Sequence, residues 1–271
     1  RIGLVIQDKY RVKKLLGAGG MGAVYEGEHT LIGRRVAIKF LHRDFAREEG
    51  IIKRFQREAR AATAIGQENI VEVLDMGTIE DGSAFMVLEF LEGRDMSDEL
   101  SKGIMPVSRV VHIVSQVCDA LSAAHEKGIV HRDLKPANIY LIKRGGDPDF
   151  VKVLDFGIAK NYETMEKDET LTQTGAALGT PAYMSPEQAQ HAKNVDHRAD
   201  IYSLGIVVFE ALTGRRPFLG ESFLELMMNV ITEPPPPLTT CRPDLPQDLD
   251  AIISKMIEKN AADRYPDCQS V

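Results

Sequence analysis

The stretch His131-Arg132-Asp133-Leu134-Lys135-Pro136-Ala137-Asn138 gathers a carboxylate, an ammonium and an amide within a few residues. Asp133 can accept the proton of an incoming hydroxyl, Lys135 can neutralise a transferring phosphoryl group, and Asn138 offers a hard oxygen to Mg²⁺. Asp155-Phe156-Gly157 follows after a strand-like run. A carboxylate there can chelate a metal ion that bridges phosphates. Such a set suits phosphoryl transfer, which asks a protein mainly for positioning and charge neutralisation.

A second group lies nearer the N-terminus. Gly17-Ala18-Gly19-Gly20-Met21-Gly22 matches GxGxxG, where missing Cβ atoms let backbone N–H groups approach phosphates. Taken alone these glycines also suit a tight hairpin turn. A dinucleotide site would need a helix after the glycines and an acidic residue about 20 positions on. Here the strand-like Ala23-Val24-Tyr25 follows, and a basic residue, Lys39, stands in that region. Lys39 ends Val36-Ala37-Ile38-Lys39, a run that places an ammonium at a strand centre, where a charge needs a partner. Glu58, on the helix that follows, is the natural candidate, and a lysine held this way can bind phosphate oxygens.

Elements must position these groups. Tyr10–Leu15, Ala23–Glu26 and Val36–Phe40 alternate as an antiparallel meander. Residues 48–65 have a helical pattern, and Val71–Gly77 and Ala84–Phe90 read as further strands. Beyond Leu91-Glu92-Gly93 the character changes to helix, beginning with 106–127, with short strands around 131–141 and 151–155. Pro234–Pro237 reads as a surface loop. With 271 residues, 44% of them apolar, there is material for a two-lobed unit with substantial cores. A net charge of −7 argues against a nucleic-acid binder. Cys118, Cys241 and Cys268 have no CxxC or metal-ligand spacing, and fit a reducing cytosol. The longest apolar stretch, from Ile201 to Leu212, is too short to span a bilayer.

The ordered set Gly17–Val24, Val36–Lys39, Glu58, His131–Asn138, Asp155–Gly157 and Ser185-Pro186-Glu187 resembles the eukaryotic-type protein kinase family over roughly residues 10–266. Gly19–Tyr25 and Gly179–Gln188 resemble its bacterial Ser/Thr branch. Ser185 stands where the family pattern has alanine, and Gly145-Gly146-Asp147-Pro148 reads as a surface insertion lengthening a hairpin. The resemblance implies an α+β, two-lobed fold. Residues 10–90 would form a small antiparallel-sheet lobe with one main helix, and 91–271 a larger, mainly helical lobe with a truncated end.

It also implies roles. ATP would be bound by Leu16, Gly17, Ala18, Gly19, Gly20, Met21, Gly22, Val24, Ala37, Lys39, Glu89, Leu91, Asp95, Asn138, Tyr140 and Asp155. Beside that set Leu88 would be the gatekeeper, Glu89 and Leu91 would supply backbone bonds to adenine, and Tyr140 is bulkier than the usual aliphatic under the ring. Asn138 and Asp155 would hold Mg²⁺, with Mn²⁺ as the alternative ion. Lys39, Glu58, Asp133 and Lys135 would be catalytic, Asp200 would brace the backbone at His131-Arg132, and Glu187 would pair with Arg264. Lys135, with Thr180 placed to bond it and Asp133, resembles the Ser/Thr class. The implied partners are proteins with Ser/Thr acceptors, the chain itself in autophosphorylation, and a second copy through the small lobe. No nucleic acid and no membrane contact by this segment are expected. The setting would be cytoplasmic, within a parent that could be anchored through other segments. Arg132, Lys160 and Arg54 would together receive a phosphate on Thr174 or Thr172, ahead of Thr164 and Thr170. Competing readings are a pseudokinase scaffold, whose mark would be loss of Lys39, Asp133, Asn138 or Asp155, and a small-molecule phosphotransferase without the 180–187 docking segment. All four residues and that segment are present.

Overall fold

A computed structural model describes residues 1–19, 22–42, 45, 49–156, 181–190 and 195–271 of the chain. The described residues divide into two compact units. The first comprises Arg1–Gly66 with Val71–Glu92, and the second Gln67–Ile70 with the described residues from Gly93 onward.

The first unit is built on β1 (Val5–Ile6), β2 (Tyr10–Gly19), β3 (Gly22–His29), β4 (Arg35–Leu41), β5 (Val73–Thr78) and β6 (Ala84–Glu89). These form one sheet in the order β1-β2-β3-β4-β6-β5, with every pairing antiparallel. Alternation in β4 sends Val36, Ile38 and Phe40 into a core shared with Tyr10, Val12, Phe85 and Val87. Helix α1 (Glu49–Ile65) buries Phe55, Ala59 and Ile65 at helical spacing. The glycine run is itself the end of the β2–β3 hairpin, with Gly17 opposite Val24 and Gly19 opposite Gly22.

The second unit contains β7 (Gly93–Asp95), α2 (Met96–Leu100), α3 (Val107–Glu126), β8 (Ile139–Arg144) and β9 (Asp147–Val153). Then come α4 (Pro186–Ala189), α5 (Arg198–Thr213), α6 (Phe223–Thr232), α7 (Leu238–Cys241) and α8 (Gln247–Met256). Strands β7, β8 and β9 form a three-stranded antiparallel sheet in chain order. The run Ile201–Leu212 lies in α5, which is buried along nearly its whole length and forms the centre of this unit. No described helix is long and apolar enough to cross a membrane.

Gly145-Gly146-Asp147-Pro148 lies largely exposed at the turn end of the β8–β9 hairpin, where the sequence placed it. Arg144 pairs with Asp147, so Gly145 and Gly146 alone make the turn, at φ 58° and 89°. Two consecutive positive φ angles match the right-handed twist of a two-residue hairpin and favour glycine at both positions. Asp147 and Pro148 belong to β9, an edge strand, where a residue without an N–H is tolerated.

Candidate active site

The candidate residues fall in both units. In the first, register decides which side chains share a face. Val24 stands opposite Lys39, Ala37 opposite Leu88, and Lys39 opposite Met86. Opposed residues of an antiparallel pair project from the same side. Val24, Ala37, Lys39 and Leu88 therefore lie together on the face away from Ile38 and Phe40. Lys39 Nζ is 3.2 Å from Glu58 Oε1, with the side chains 19% and 11% exposed. The pair links β4 to α1 and holds the ammonium in place without burying it fully.

The hairpin glycines separate into two kinds. A Cβ on Gly22 would stand 2.0 Å from the Phe40 carbonyl oxygen, so packing against β4 requires glycine there. A Cβ on Gly17 or Gly19 would meet nothing within 4 Å among the described residues. The described residues give no steric reason for glycine there, and such open space is what a close-approaching phosphate would use. His42 Nε2 lies 2.9 Å from the Gly19 carbonyl oxygen and so ties the hairpin tip to the end of β4. Leu16 is 47% exposed. The Glu89 N–H donates to Glu72 O at 3.0 Å and its Oε1 accepts the Glu72 N–H at 2.9 Å, which fastens the end of β6. Leu91 is half-buried just beyond. Gly20 and Met21 lie outside the described residues.

In the second unit the loop before β8 carries the densest polar geometry. Lys135 Nζ is 3.0 Å from Asp133 Oδ2. Asn138 Nδ2 donates to the Asp133 carbonyl at 2.8 Å. Asp200 is fully buried and accepts the His131 N–H on Oδ2 and the Arg132 N–H on Oδ1, each at 2.8 Å. His131 is buried too, with Nε2 2.9 Å from Leu154 O and Nδ1 3.2 Å from the Asp133 nitrogen. One tautomer, Nε2–H, satisfies both partners. Leu154 N–H in turn donates to Asn138 O at 2.8 Å. The peptide just before Asp155 is thus gripped by His131 and Asn138 at once. Arg132 and Asp155 adopt φ of 62° and 47°, left-handed conformations that surrounding bonds must hold in place.

Asp95 stands opposite Tyr140 across β7 and β8. Its Oδ1 accepts the Asp98 N–H at 2.9 Å and so caps α2. The Tyr140 hydroxyl donates to Gly93 O at 3.0 Å, which fixes the ring and offsets the larger side chain's polar end. Burial, then the Asp95 and Asp98 carboxylates, raise its pKa, so it stays a donor.

The donor set fits a hard divalent ion. Asn138 uses its amide nitrogen on Asp133, so its amide oxygen is the atom that could meet an ion, and Asp155, an exposed residue, could add a carboxylate. One carboxylate and one amide suit Mg²⁺, which keeps waters and takes its other ligands from phosphates. Among the described residues there is no cluster of His, Cys, Asp and Glu that would form an all-protein metal cage.

Against known proteins, the model of the protein kinase domain family matches residues 10–270. The chain belongs to the protein kinase family. The kinase domain is 43% identical over 267 residues to the serine/threonine-protein kinase pkn3 of Myxococcus xanthus, covering 97% of this chain and 48% of that protein. It is 44% identical over 256 residues to Pkn1 of the same organism, covering 94% of this chain and 36% of the relative. It therefore spans about half or less of the length of these curated relatives. The crystal structure of the Mycobacterium tuberculosis PknI kinase domain superposes with a TM-score of 0.75 at 29% identity, covering 100% of this chain and 95% of that one. The bacterial branch of the eukaryotic-type kinases and the α+β kinase fold follow from these likenesses.

Within the kinase domain, Glu187 and Arg264 form a two-bonded pair at 2.8 Å each, and the arginine is buried. Two site neighbours were given no role from the sequence. His125 Nε2 lies 2.8 Å from Asp200 Oδ2, and Gln188 Nε2 donates to the Arg132 carbonyl at 2.9 Å. Gln188 could have been suspected from Ser185-Pro186-Glu187-Gln188, which reads as a capping box and forms one. Gly157, Lys160, the loop threonines 164–174, Thr180 and the Arg54 side chain lie outside the described residues.

Proposed function

We propose that this kinase domain transfers the γ-phosphoryl group of ATP to serine and threonine hydroxyls of proteins, and that phosphorylation of its own 155–187 segment switches it on. The observation that carries the reading is the Asp133–Lys135 pair at 3.0 Å, set on a loop whose backbone Asp200 fixes. In the proposed reaction Asp133 takes the proton of the acceptor hydroxyl as its oxygen bonds to phosphorus and the bond to the departing ADP breaks. Lys135, beside Asp133, balances charge on the transferring group. Lys39, held by Glu58, meets the phosphates, and the Gly17–Gly22 hairpin covers them with backbone N–H groups. Asn138 and Asp155 would hold Mg²⁺, or Mn²⁺ in its place, which when bound neutralises phosphate charge.

Leu16, Val24, Ala37, Glu89, Leu91, Asp95 and Tyr140 would receive the nucleoside, and we take 10–90 and 91–271 as the two lobes. The names of the relatives support the Ser/Thr class. Protein substrates, autophosphorylation, a small-lobe homodimer and a cytoplasmic setting where ATP is supplied belong to the same proposal. A charge of −7 supports the expectation that nucleic acid is not a partner. Incubation with labelled ATP, Mg²⁺ and a Ser/Thr peptide tests the reading: phosphopeptide should accumulate. Tight ATP binding without any transfer would favour the scaffold alternative.

A further inference from the structure

Gln188 lies on α4, is 1% exposed, and has no part in the phosphoryl-transfer reading above. Its amide is bonded at both ends. Oε1 accepts the Ser185 N–H at 3.1 Å and lies 3.2 Å from the Ser185 hydroxyl, which is fully buried. Nε2 donates to the Arg132 carbonyl at 2.9 Å. A main-chain N–H can only donate and a carbonyl can only accept, so the amide has one orientation. These two backbone groups require a side chain that accepts at one end and donates at the other. A carboxylate would donate nothing, and an apolar chain would leave both groups unmet in the interior.

The carbonyl that Gln188 holds belongs to the peptide joining Arg132 to Asp133. The N–H of that same peptide lies 3.2 Å from His131 Nδ1, the accepting nitrogen of the ring. The peptide plane is therefore gripped on both edges, and its direction sets how the chain enters Asp133. Arg132 stands at φ 62°, a left-handed backbone that a non-glycine residue keeps only where its neighbours hold it. Asp200 holds the N–H side of Arg132, and Gln188 holds the carbonyl side. The segment that carries Gln188 is itself anchored. Ser203 Oγ lies 2.7 Å from the Tyr183 carbonyl oxygen, and Arg264 makes its two bonds to Glu187. Gln188 passes that rigidity to the loop before β8.

We propose that Gln188 is a positioning residue for phosphoryl transfer: its amide fixes the Arg132–Asp133 peptide, and with it the aim of the Asp133 carboxylate. The inference rests on Asp133 being the proton acceptor, as proposed above. Its energetic logic is that of a reaction run by placement. A base displaced by a fraction of the distance to its hydroxyl loses rate, while the nucleotide, held by other residues, is bound as before. Ser185 completes the device, since its N–H and hydroxyl both meet Oε1 and so hold the amide with Nε2 towards Arg132.

The test compares Gln188→Met and Gln188→Glu with the wild type in steady-state kinetics with ATP, Mg²⁺ and a Ser/Thr peptide, well below each thermal midpoint. Gln188→Met removes the donor. Gln188→Glu keeps the capping box, which takes Glu or Gln at this place, but sets an oxygen against the Arg132 carbonyl. At pH 8 both are expected to lose about 10–100-fold in kcat with KM for ATP unchanged. Expressed against the wild type at each pH, the deficit of Gln188→Glu should shrink towards pH 6, because a protonated carboxyl donates as the amide does, and burial favours that form. The deficit of Gln188→Met should stay constant. Gln188→Glu as fast as the wild type at pH 8 would mean that the residue only caps α4, and would overturn the inference. Deficits independent of pH in both variants, or a loss carried by KM for ATP, would assign the effect to packing and overturn it as well. No transfer by the wild type itself would overturn the phosphoryl-transfer reading, and this inference with it.

Discussion

Lys135 Nζ donates to Asp133 Oδ2 across 3.0 Å, and the two side chains are 21% and 19% exposed. A carboxylate held this way stays accessible to a hydroxyl while its charge is partly balanced. Asp133→Asn keeps the shape and removes the proton acceptor. Turnover is expected to fall by about 10²–10⁴-fold, the usual worth of a general base, with ATP affinity nearly unchanged. Steady-state kinetics beside nucleotide titration checks this, and turnover close to wild type would remove Asp133 from the chemistry.

Asp155→Ala should act on binding instead. The proposed metal set is Asn138 and Asp155, and only the second brings a negative charge to a hard cation. Calorimetry is expected to show Mg²⁺ strengthening ATP binding in the wild type and in Asp133→Asn, and that effect lost in Asp155→Ala. An unchanged Mg²⁺ effect in the variant would contradict the assignment.

The local parts of this arrangement were legible in the sequence, and the distant ones were not. Alternation in Val36–Phe40 fixes which residues face the core, so Lys39 and its need for Glu58 could be read directly. The glycine run could be placed at a strand end, and a hairpin does stand there. His125, by contrast, reaches Asp200 from a different helix, and no periodicity marks a side chain that bonds across the fold. That Gly145 and Gly146 alone make the turn was not legible, because a four-residue loop and a two-residue turn with longer strands share one composition.

Asp200 supports a prediction about stability. Its carboxylate accepts two main-chain N–H groups and faces His125, all in the buried interior. Asp200→Ala would leave the His131 and Arg132 N–H groups without acceptors, at about 1–3 kcal/mol for each buried orphan. Arg132, at φ 62°, would lose part of what holds its left-handed backbone. Urea unfolding should show a lower midpoint of that order. Activity should fall as well, because Asp133 follows directly. A variant as stable as wild type would mean that water replaces the carboxylate.

Glu99 gives the pH dependence. It meets Arg94 Nε at 2.7 Å, an Arg109 amino group at 2.6 Å and Lys102 Nζ at 2.5 Å. Burial, the largest single influence, would raise its pKa, but the hydrogen bonds from Lys102, Arg109 and Arg94 together outweigh it. They bring it from the ordinary 4.5 down to about 2. A depressed folded-state pKa stabilises fully above the unfolded value and ceases to do so as pH falls through the folded one. Wild type should therefore exceed Glu99→Gln in stability near neutral pH. The gap should narrow as pH drops below about 4.5 and nearly close by about 2. Thermal melts of both proteins across that range check it, and a constant gap would count against the ionic role.

The last prediction concerns the proposed switch. Among the described residues Arg132 Nε is buried with no hydrogen-bond partner, and Nη2 donates to Val195 O across a long 3.4 Å. A half-buried cation with no matching anion among the described residues is costly, and it stands one residue before Asp133. A phosphothreonine supplies about −1.5 to −2 charges and three acceptor oxygens, enough to satisfy a guanidinium and order the segment that carries it. Thr174 and Thr172 are the proposed acceptors, with Lys160 and Arg54 as further ligands by family resemblance. Both threonines should be phosphorylated in active protein and unmodified in Asp133→Asn protein made alone. The Thr172→Ala/Thr174→Ala double variant should keep ATP binding and lose most activity toward an external peptide. Arg132→Ala should make the phosphorylated and unphosphorylated forms alike, because the charge that reads the phosphate is gone. Full peptide phosphorylation by the double variant would remove the switch and leave the transfer reaction untouched.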